Sequence, residues 1–492
     1  MKKIGQPLQK KDTKNKPRIG DILEVDVITM DADGYGLSTF QDMPVFVSGI
    51  LPGEQARVKI IHAGHREIFA NVVKILRPAP FRLKSPPCPS AAFCDGCPLI
   101  AMSYPAQLAW KQALVKGELG RFRTLAELSV HDILPSPRRL HYRNSAKLVV
   151  SGKFSAPLIG IYRRNSHDIM DASDCPLHHP LINKVVRAVK DGIRKGKVPV
   201  FSPRSGSGLL RYLVVRVSEA ENRAMVTFVT AQRSFNEIHH LAKYLRTAVP
   251  EVEVVVQNVN SSSGNVILGE HDHFVTPRKE LRETIGSTAF AISPRSFFQV
   301  NSGGALLIYE KVRELARLSV RETMLDLYCG IGGISLFLAP QAREVLGIEA
   351  NETAVADAEK NARLNGIRNC RFEAGDAAEI LEELRSEKHK VDIVVLNPPR
   401  KGCDERVLTD TAALAPARII YVSCSPRTLA RDLDILYRLG YRTLAVQPVD
   451  MFPQTPHVEN VALLEQVPSS PQRTPGIKNR TYQQPNHKGE QQ

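Results

Sequence analysis

From Ala291 onward the chain repeats one pattern: a short apolar run, a turn, then apolar residues at helical spacing. TMLDLYCGIGGISLFLA reads as a strand ending at Leu327, a turn through Gly330, Gly332 and Gly333, and a helix. VLGIEAN ends a second strand at Glu349, AGDA sets Asp376 after a third, and DIVVLNPPRKG ends a fourth before Asn397. Ile419, Ile420, Tyr421 and Val422 read as a fifth, and Thr428 to Leu436 then resumes helical spacing. This alternation specifies a doubly wound, Rossmann-like sheet with helices on both faces. Ligands of such sheets bind outside the C-terminal ends of the strands.

The glycines around Gly330 let a ligand approach the backbone closely. Glu349 follows Asp326 by 23 residues, a position from which a carboxylate can hold two ribose hydroxyls. A nucleotide-type site is expected, although the turn is not a clean G-x-G-x-x-G, which disfavours a dinucleotide. Asn397-Pro398-Pro399 joins stiff prolines to a polar side chain that can hold a flat base. Such loops occur at this sheet position in S-adenosylmethionine-dependent enzymes that methylate bases. Asp376 stands in the usual place for contacts to an adenine ring. Cys424 lies between the fifth strand and a helix, where backbone N–H dipoles favour the thiolate and predict a lowered pKa. A lone cysteine is more often an inert buried thiol, so its neighbours must carry the case.

The chain before Ala291 has a different rhythm. Residues 1–16 are lysine-rich and read as a disordered basic arm. Residues 17–78 hold short alternating strands separated by turn signals such as Asp33-Gly34 and Pro52-Gly53, which suggests a small OB-like β-barrel. Within it, GYGLSTFQDMPVFVSGILPGEQARVKI resembles a TRAM domain, a barrel found on RNA-modifying enzymes. Residues 79–290 alternate strands and helices as an α+β domain, and open on Cys88, Cys94 and Cys97, with Cys175 further on. Four thiolates can bind a structural zinc ion or an iron–sulfur cluster, and spacing alone leaves both open. Arg138, Arg139, Arg143, Lys147, Arg163, Arg164, Arg211 and Arg216 are scattered over this domain. Phosphate contacts are expected from some of them, Arg163 and Arg164 foremost. The residues after Val467 are rich in Pro, Gln and basic side chains and read as a disordered tail.

A net charge of +15 suits a polyanionic partner such as nucleic acid. No apolar segment follows the opening lysines as a secretory signal would, and Met324–Pro340 is broken by Asp326 and glycines, so no membrane span is expected. A reduced, cytoplasmic setting follows for the eight cysteines.

NPPRKG, YVSCSPRTLARDL and HVENVALLE together resemble the RNA uracil-C5 methyltransferase family, over roughly residues 17–466. The barrel and the cysteine quartet make the resemblance closest to its 23S rRNA branch. The resemblance implies a [4Fe–4S] cluster on Cys88, Cys94, Cys97 and Cys175, with structural zinc as the alternative. It implies S-adenosylmethionine beside Gln299, Tyr328, Glu349 and Asn397, with Cys424 as nucleophile and Glu459 as the base that removes the C5 proton. The chemistry asks for such groups: thiolate addition at C6 makes uracil C5 electron-rich, and a base must then free the thiolate. Glu459 shares a strand face with His457 by the two-residue period. A monomer with no obligate protein partner is expected. Three positions depart from the family pattern: Ser425 stands where Asn is common, Asn397 where an acid is, and Gly333 where Asn is frequent. The alternatives are a cytosine-C5 or tRNA uracil methyltransferase, or an RNA-binding assembly factor without catalysis. Cytosine enzymes carry Pro-Cys in the loop that here reads Asn-Pro-Pro-Arg, and a factor without catalysis would lack Cys424 or Glu459. An NAD-dependent oxidoreductase leaves Cys424 and the basic charge unexplained.

Overall fold

The computed structural model describes residues 17–467 except 164, 165, 167, 263 and 265. The expected basic arm, Arg164 and all of the expected tail beyond Val467 lie outside the described residues.

The first sheet has six strands, Ile22–Asp26, Thr29–Met30, Gly36–Phe40, Met43–Ser48, Gln55–Ala63 and Ile68–Arg77, in the order first, fifth, sixth, fourth, third, second. Its two outermost strands are consecutive in the chain. Between them Val27 N donates to Glu54 O at 2.9 Å and Ile28 N to Leu37 O at 3.0 Å, so the two ends of the sheet meet. Val45, Val47, Val58 and Ile60 point inward at alternate positions, as the period-2 pattern requires.

A second, seven-stranded sheet runs in the order His271–Phe274, Val252–Val259, Arg223–Thr230, Leu210–Ser218, Ser145–Lys153, Ala156–Tyr162, Ile169–Asp171. Helices Pro180–Gly196 and Asn236–Ala248 bury their apolar stripes on it.

The doubly wound sheet expected after Ala291 is present. Its strand order is Cys370–Ala374, Glu344–Glu349, Thr323–Leu327, Ile393–Leu396, Arg418–Ser423, Glu459–Gln466, Tyr441–Val449. The first five are parallel, and Glu459–Gln466 runs antiparallel to both of its neighbours. Helix Pro426–Arg438 shows why the layers hold. Leu429, Ala430, Leu433 and Leu436 fall on one stripe and are fully buried. Each leucine contributes about 1.5–3 kcal/mol by leaving water, and a Leu433→Ala change costs about 2–5 kcal/mol. Helix Tyr104–Leu119, from the first quarter of the chain, joins this same core through Val115 and Leu119.

Candidate active site

The strand order reverses between Thr323–Leu327 and Ile393–Leu396, whose last residues, Leu327 and Leu396, are paired. The crevice at that reversal is where an open α/β sheet takes a ligand. Tyr328 and Asn397 leave the two strands there, and Asn397 N donates to Leu327 O at 3.3 Å. Tyr328, Gly330 and Gly332 have φ of 64°, 57° and 81°. For tyrosine that left-handed backbone is strained and survives only where its surroundings impose it. A Cβ on Gly330 would meet nothing within 4 Å, so open space lies above the turn. Glu349 ties the turn to the next strand: one carboxylate oxygen accepts from Gly330 N at 3.1 Å and the other from Asn351 N at 3.0 Å.

Beneath the turn, Asp326 is buried. Its Oδ2 accepts from Ser335 Oγ at 2.5 Å, and among the described residues its Oδ1 has no partner. Burial pushes its pKa up to about 7, against the Ser335 hydrogen bonds and with the help of Glu349. An open cradle with two carboxylates at its floor and rim fits a nucleoside that carries a positive centre. Asp376 is exposed and caps helix Ala377–Ser386, accepting from Ala378 N at 2.9 Å. Its charge still reaches Tyr328. Gln299 is anchored through its main chain, whose oxygen accepts from Asn144 Nδ2 at 3.0 Å; no hydrogen bond joins it to the glycine turn among the described residues.

Two departures have local causes. Ser425 is the N-cap of helix Pro426–Arg438 and accepts from Thr428 N at 3.4 Å, a task serine and asparagine share. At Gly333 a Cβ would stand 2.4 Å from the hydroxyl oxygen of Tyr309, so no larger residue fits without that ring moving.

Cys424 and Glu459 are brought together by the antiparallel strand. Ser423 pairs with Asn460, which sets Cys424 and Glu459 one step further along the same two strands. Glu459 is 8% exposed, and burial raises its pKa to about 7, opposed by Arg400. Cys424 is half-buried. The lowered pKa expected from its place before a helix is not found: desolvation and the nearby Glu459 push the thiol up, and a hydrogen bond and charge from Arg400 only partly offset them. Helix dipoles act over the first turn of peptide groups, whereas loss of water acts on the whole sulfur.

Arg400, not singled out from the sequence, is thus the hub. Its Nη2 lies 3.2 Å from His457 Nε2 and 3.4 Å from Nδ1. Burial, then Arg400, holds the His457 pKa down near 4, so the ring stays neutral and can accept. The only sequence signal for Arg400 is its place in NPPRKG. His457 lies just before the strand that starts at Glu459 rather than on it.

The segment carrying His457 and Glu459 is held from the first third of the chain. Lys111 Nζ donates to Asp450 Oδ1 at 2.5 Å and to Phe452 O at 2.9 Å, with both charged side chains fully buried. Tyr142 donates to Pro453 O at 2.9 Å, and Leu99 N to Gln454 O at 3.0 Å. Leu99 is two residues beyond Cys97.

Cys94, Cys97 and Cys175 are each pushed up by burial first, and each feels the charge of other members of the quartet: Cys97 feels Cys175, Cys94 and Cys88. Each of these three thiols is thus within electrostatic reach of other members of the quartet. Among the described residues no three Cys, His, Asp or Glu side chains stand close enough to share a single metal ion. Arg163, expected at a phosphate, instead donates to Phe93 O at 3.1 Å within the cysteine loop. Arg211 and Arg216 are also expected as phosphate contacts: Arg211 is buried and bonds to Asn260 O at 2.6 Å, whereas Arg216 is half-buried and bonds to Ser296 O at 2.6 Å, with its Nε and Nη1 unpartnered among the described residues.

Comparison with known proteins places this geometry. Residues 103–467 match the family described as tRNA (Uracil-5-)-methyltransferase. An uncharacterized RNA methyltransferase of Geobacter sulfurreducens is 60% identical over 470 residues, 95% of each chain. One from Halalkalibacterium halodurans is 38% identical over 445 residues, 90% of this chain and 97% of the relative. Among solved structures, Pyrococcus abyssi tRNA (uracil-54, C5)-methyltransferase in complex with S-adenosyl-L-homocysteine superposes with a TM-score of 0.73 and 28% identity, covering 90% of this chain and 100% of that one. No helix among the described residues is long and apolar enough to cross a membrane. The chain belongs to the tRNA (uracil-5-)-methyltransferase family and is an S-adenosylmethionine-dependent RNA methyltransferase.

Proposed function

We propose that this protein methylates C5 of a uracil in 23S rRNA, with Cys424 as the covalent nucleophile and Glu459 as the base. The observation that supports this most is the pairing of a half-buried thiol and a buried carboxylate around one guanidinium. When bound, S-adenosylmethionine supplies an electrophilic methyl group on its sulfonium. Gln299, Tyr328, Gly330, Glu349, Asp376 and Asn397 would hold it, Glu349 at the ribose and Asp376 at the adenine. Arg400 stabilises the Cys424 thiolate, which adds to uracil C6 and leaves C5 nucleophilic. After methyl transfer Glu459 takes the C5 proton, the C5–C6 double bond re-forms and the thiolate leaves. A carboxylate with a pKa of about 7 is matched to that transfer at neutral pH. The uridine has to leave its stack to reach these groups.

In the same reading residues 17–78 form a TRAM-type barrel on RNA, 79–290 the central domain and 291–466 the methyl-transfer domain of a cytoplasmic monomer. Cys88, Cys94, Cys97 and Cys175 hold a [4Fe–4S] cluster. Its part is to order the loop, outside the reaction.

tRNA is the second reading, favoured by the Pyrococcus abyssi tRNA enzyme that matches this chain nearly end to end. Both readings are tested with 23S rRNA and tRNA transcripts made with 5-fluorouridine, whose C5 fluorine cannot leave as a cation. A methyl-donor-dependent, SDS-stable complex with the rRNA transcript, absent in Cys424→Ala, is the expected result. A complex with tRNA alone transfers the assignment to tRNA, and no complex with either overturns the covalent mechanism.

A further inference from the structure

Several of the cations marked from the sequence as phosphate contacts are engaged within the protein, Arg138 with Glu219 and Arg211 with Asn260 O, while two that were not marked stand at a groove. Helix Asn236–Ala248 buries Ile238, Leu241 and Leu245 on the central sheet and turns Lys243 and Arg246 outward. Between this helix and the segment leaving the edge strand His271–Phe274 lies a cavity of about 360 Å³, lined by His239, Lys243, Arg246, Val275 and Thr276. The carboxylates that flank the helix in sequence are engaged elsewhere. Glu251 pairs with Lys184, Glu253 with Arg223 and Arg278, and Glu237 accepts from Ser234. Among the described residues none pairs with Lys243 or Arg246.

One turn before the groove, Phe235 is 65% exposed, and its ring lies 3.8 Å from that of His239 at an interplanar angle of 28°. Phe235 with His239 stacked against it, beside two cations, presents a ring face of the kind on which an unstacked base stacks. Phe235, His239, Lys243 and Arg246 recur at helical spacing of four, four and three residues, forming one stripe about 16 Å long at 1.5 Å per residue.

We infer that this stripe is a second RNA-binding surface, away from the methyl-transfer crevice, with Lys243 and Arg246 on backbone phosphates and the Phe235–His239 pair beneath a base. It rests on the family's action on RNA and not on the uracil chemistry. The phosphate contacts carry affinity without reading sequence. The stripe therefore holds flanking RNA while the target uridine is turned out elsewhere.

The test uses full-length protein and a fluorescein-labelled single-stranded oligouridylate of about 20 nucleotides, a length beyond one site of the size typical for single strands. Binding is read by anisotropy across a KCl series. In the Lys243→Gln/Arg246→Gln double variant the slope of log K against log salt falls in magnitude by about 1.4, from two phosphates at about 0.7 each on a single strand. In Phe235→Ala the slope stays and affinity falls about 5- to 150-fold, the range for losing one base stack. Parent-like melting temperatures in both variants exclude misfolding. Parent-like slope and affinity in both variants would overturn the assignment whatever the methylation assay shows. So would methyl-transfer loss at saturating RNA with an unchanged slope.

Discussion

Two groups of cysteines in this molecule differ in the company they keep. Cys424 stands alone among cysteines, within reach of the charges of Arg400 and Glu459. In the quartet of Cys88, Cys94, Cys97 and Cys175, the charges felt by Cys97 are those of Cys175, Cys94 and Cys88 before that of Arg143, and Cys94 feels Cys88 and Asp95 before Arg163. A thiol with a cation and a base nearby can lose its proton, attack and leave. Several buried thiols that repel one another's charge can be deprotonated together only by a cation placed among them. The difference teaches that burial raises a thiol's pKa in either setting, and that the partner decides between chemistry and metal binding.

The comparison breaks most visibly at the base. Glu459→Gln is expected to lower turnover by about 10²- to 10⁴-fold, the usual range for a positioned proton acceptor. The methylated RNA should stay bound to Cys424 as a species visible on a denaturing gel. In the parent, the rate of C5 proton release from the methylated adduct should fall about tenfold per pH unit below about pH 7, where Glu459 becomes protonated. Stability moves the other way. The Glu459 carboxyl titrates near 4.5 when unfolded and at about 7 when folded, so unfolding releases a proton between these values. Its contribution to stability therefore falls as pH rises through that window, and Glu459→Gln removes the slope. Urea titrations at pH 5 and pH 8 read this directly.

Arg400→Gln comes next. Loss of its charge should push the Cys424 thiol further up and slow the reaction at pH 7 by about tenfold or more. Activity should return partly at pH 9, as it would not if Arg400 only gripped RNA. The smallest effect on chemistry is expected in the quartet. Cys97→Ser should reduce iron or zinc content and RNA affinity. The rate at saturating RNA should stay within about threefold of the parent, or about 0.7 kcal/mol in the barrier. A tenfold fall in that rate would put the quartet in the reaction and erase the distinction.

Much of this was legible in the sequence because it is local. The strand–turn–helix alternation located Gly330, Glu349 and Asn397 at strand ends, and the HVEN and SCSP motifs marked Glu459 and Cys424. What sequence could not give were contacts between distant residues. Arg400 meets His457 across 57 positions, and Lys111 meets Asp450 across 339. No local period encodes either. The pKa of Cys424 was misjudged for a related reason: the helix start is visible in sequence, whereas the neighbours that exclude water from the sulfur are not. The arginines of the central domain show the same limit, since Arg211 differs from a free cation only in being covered. Gly333 is the reverse case, a departure from pattern that Tyr309 explains once the two are seen together.

The most direct test of the central claim is tritium release from RNA carrying uridine labelled at C5. The account predicts release that requires S-adenosylmethionine, matches methyl incorporation one for one, and disappears in Cys424→Ala. Methyl incorporation without tritium release, or release that persists in Cys424→Ala, would contradict it.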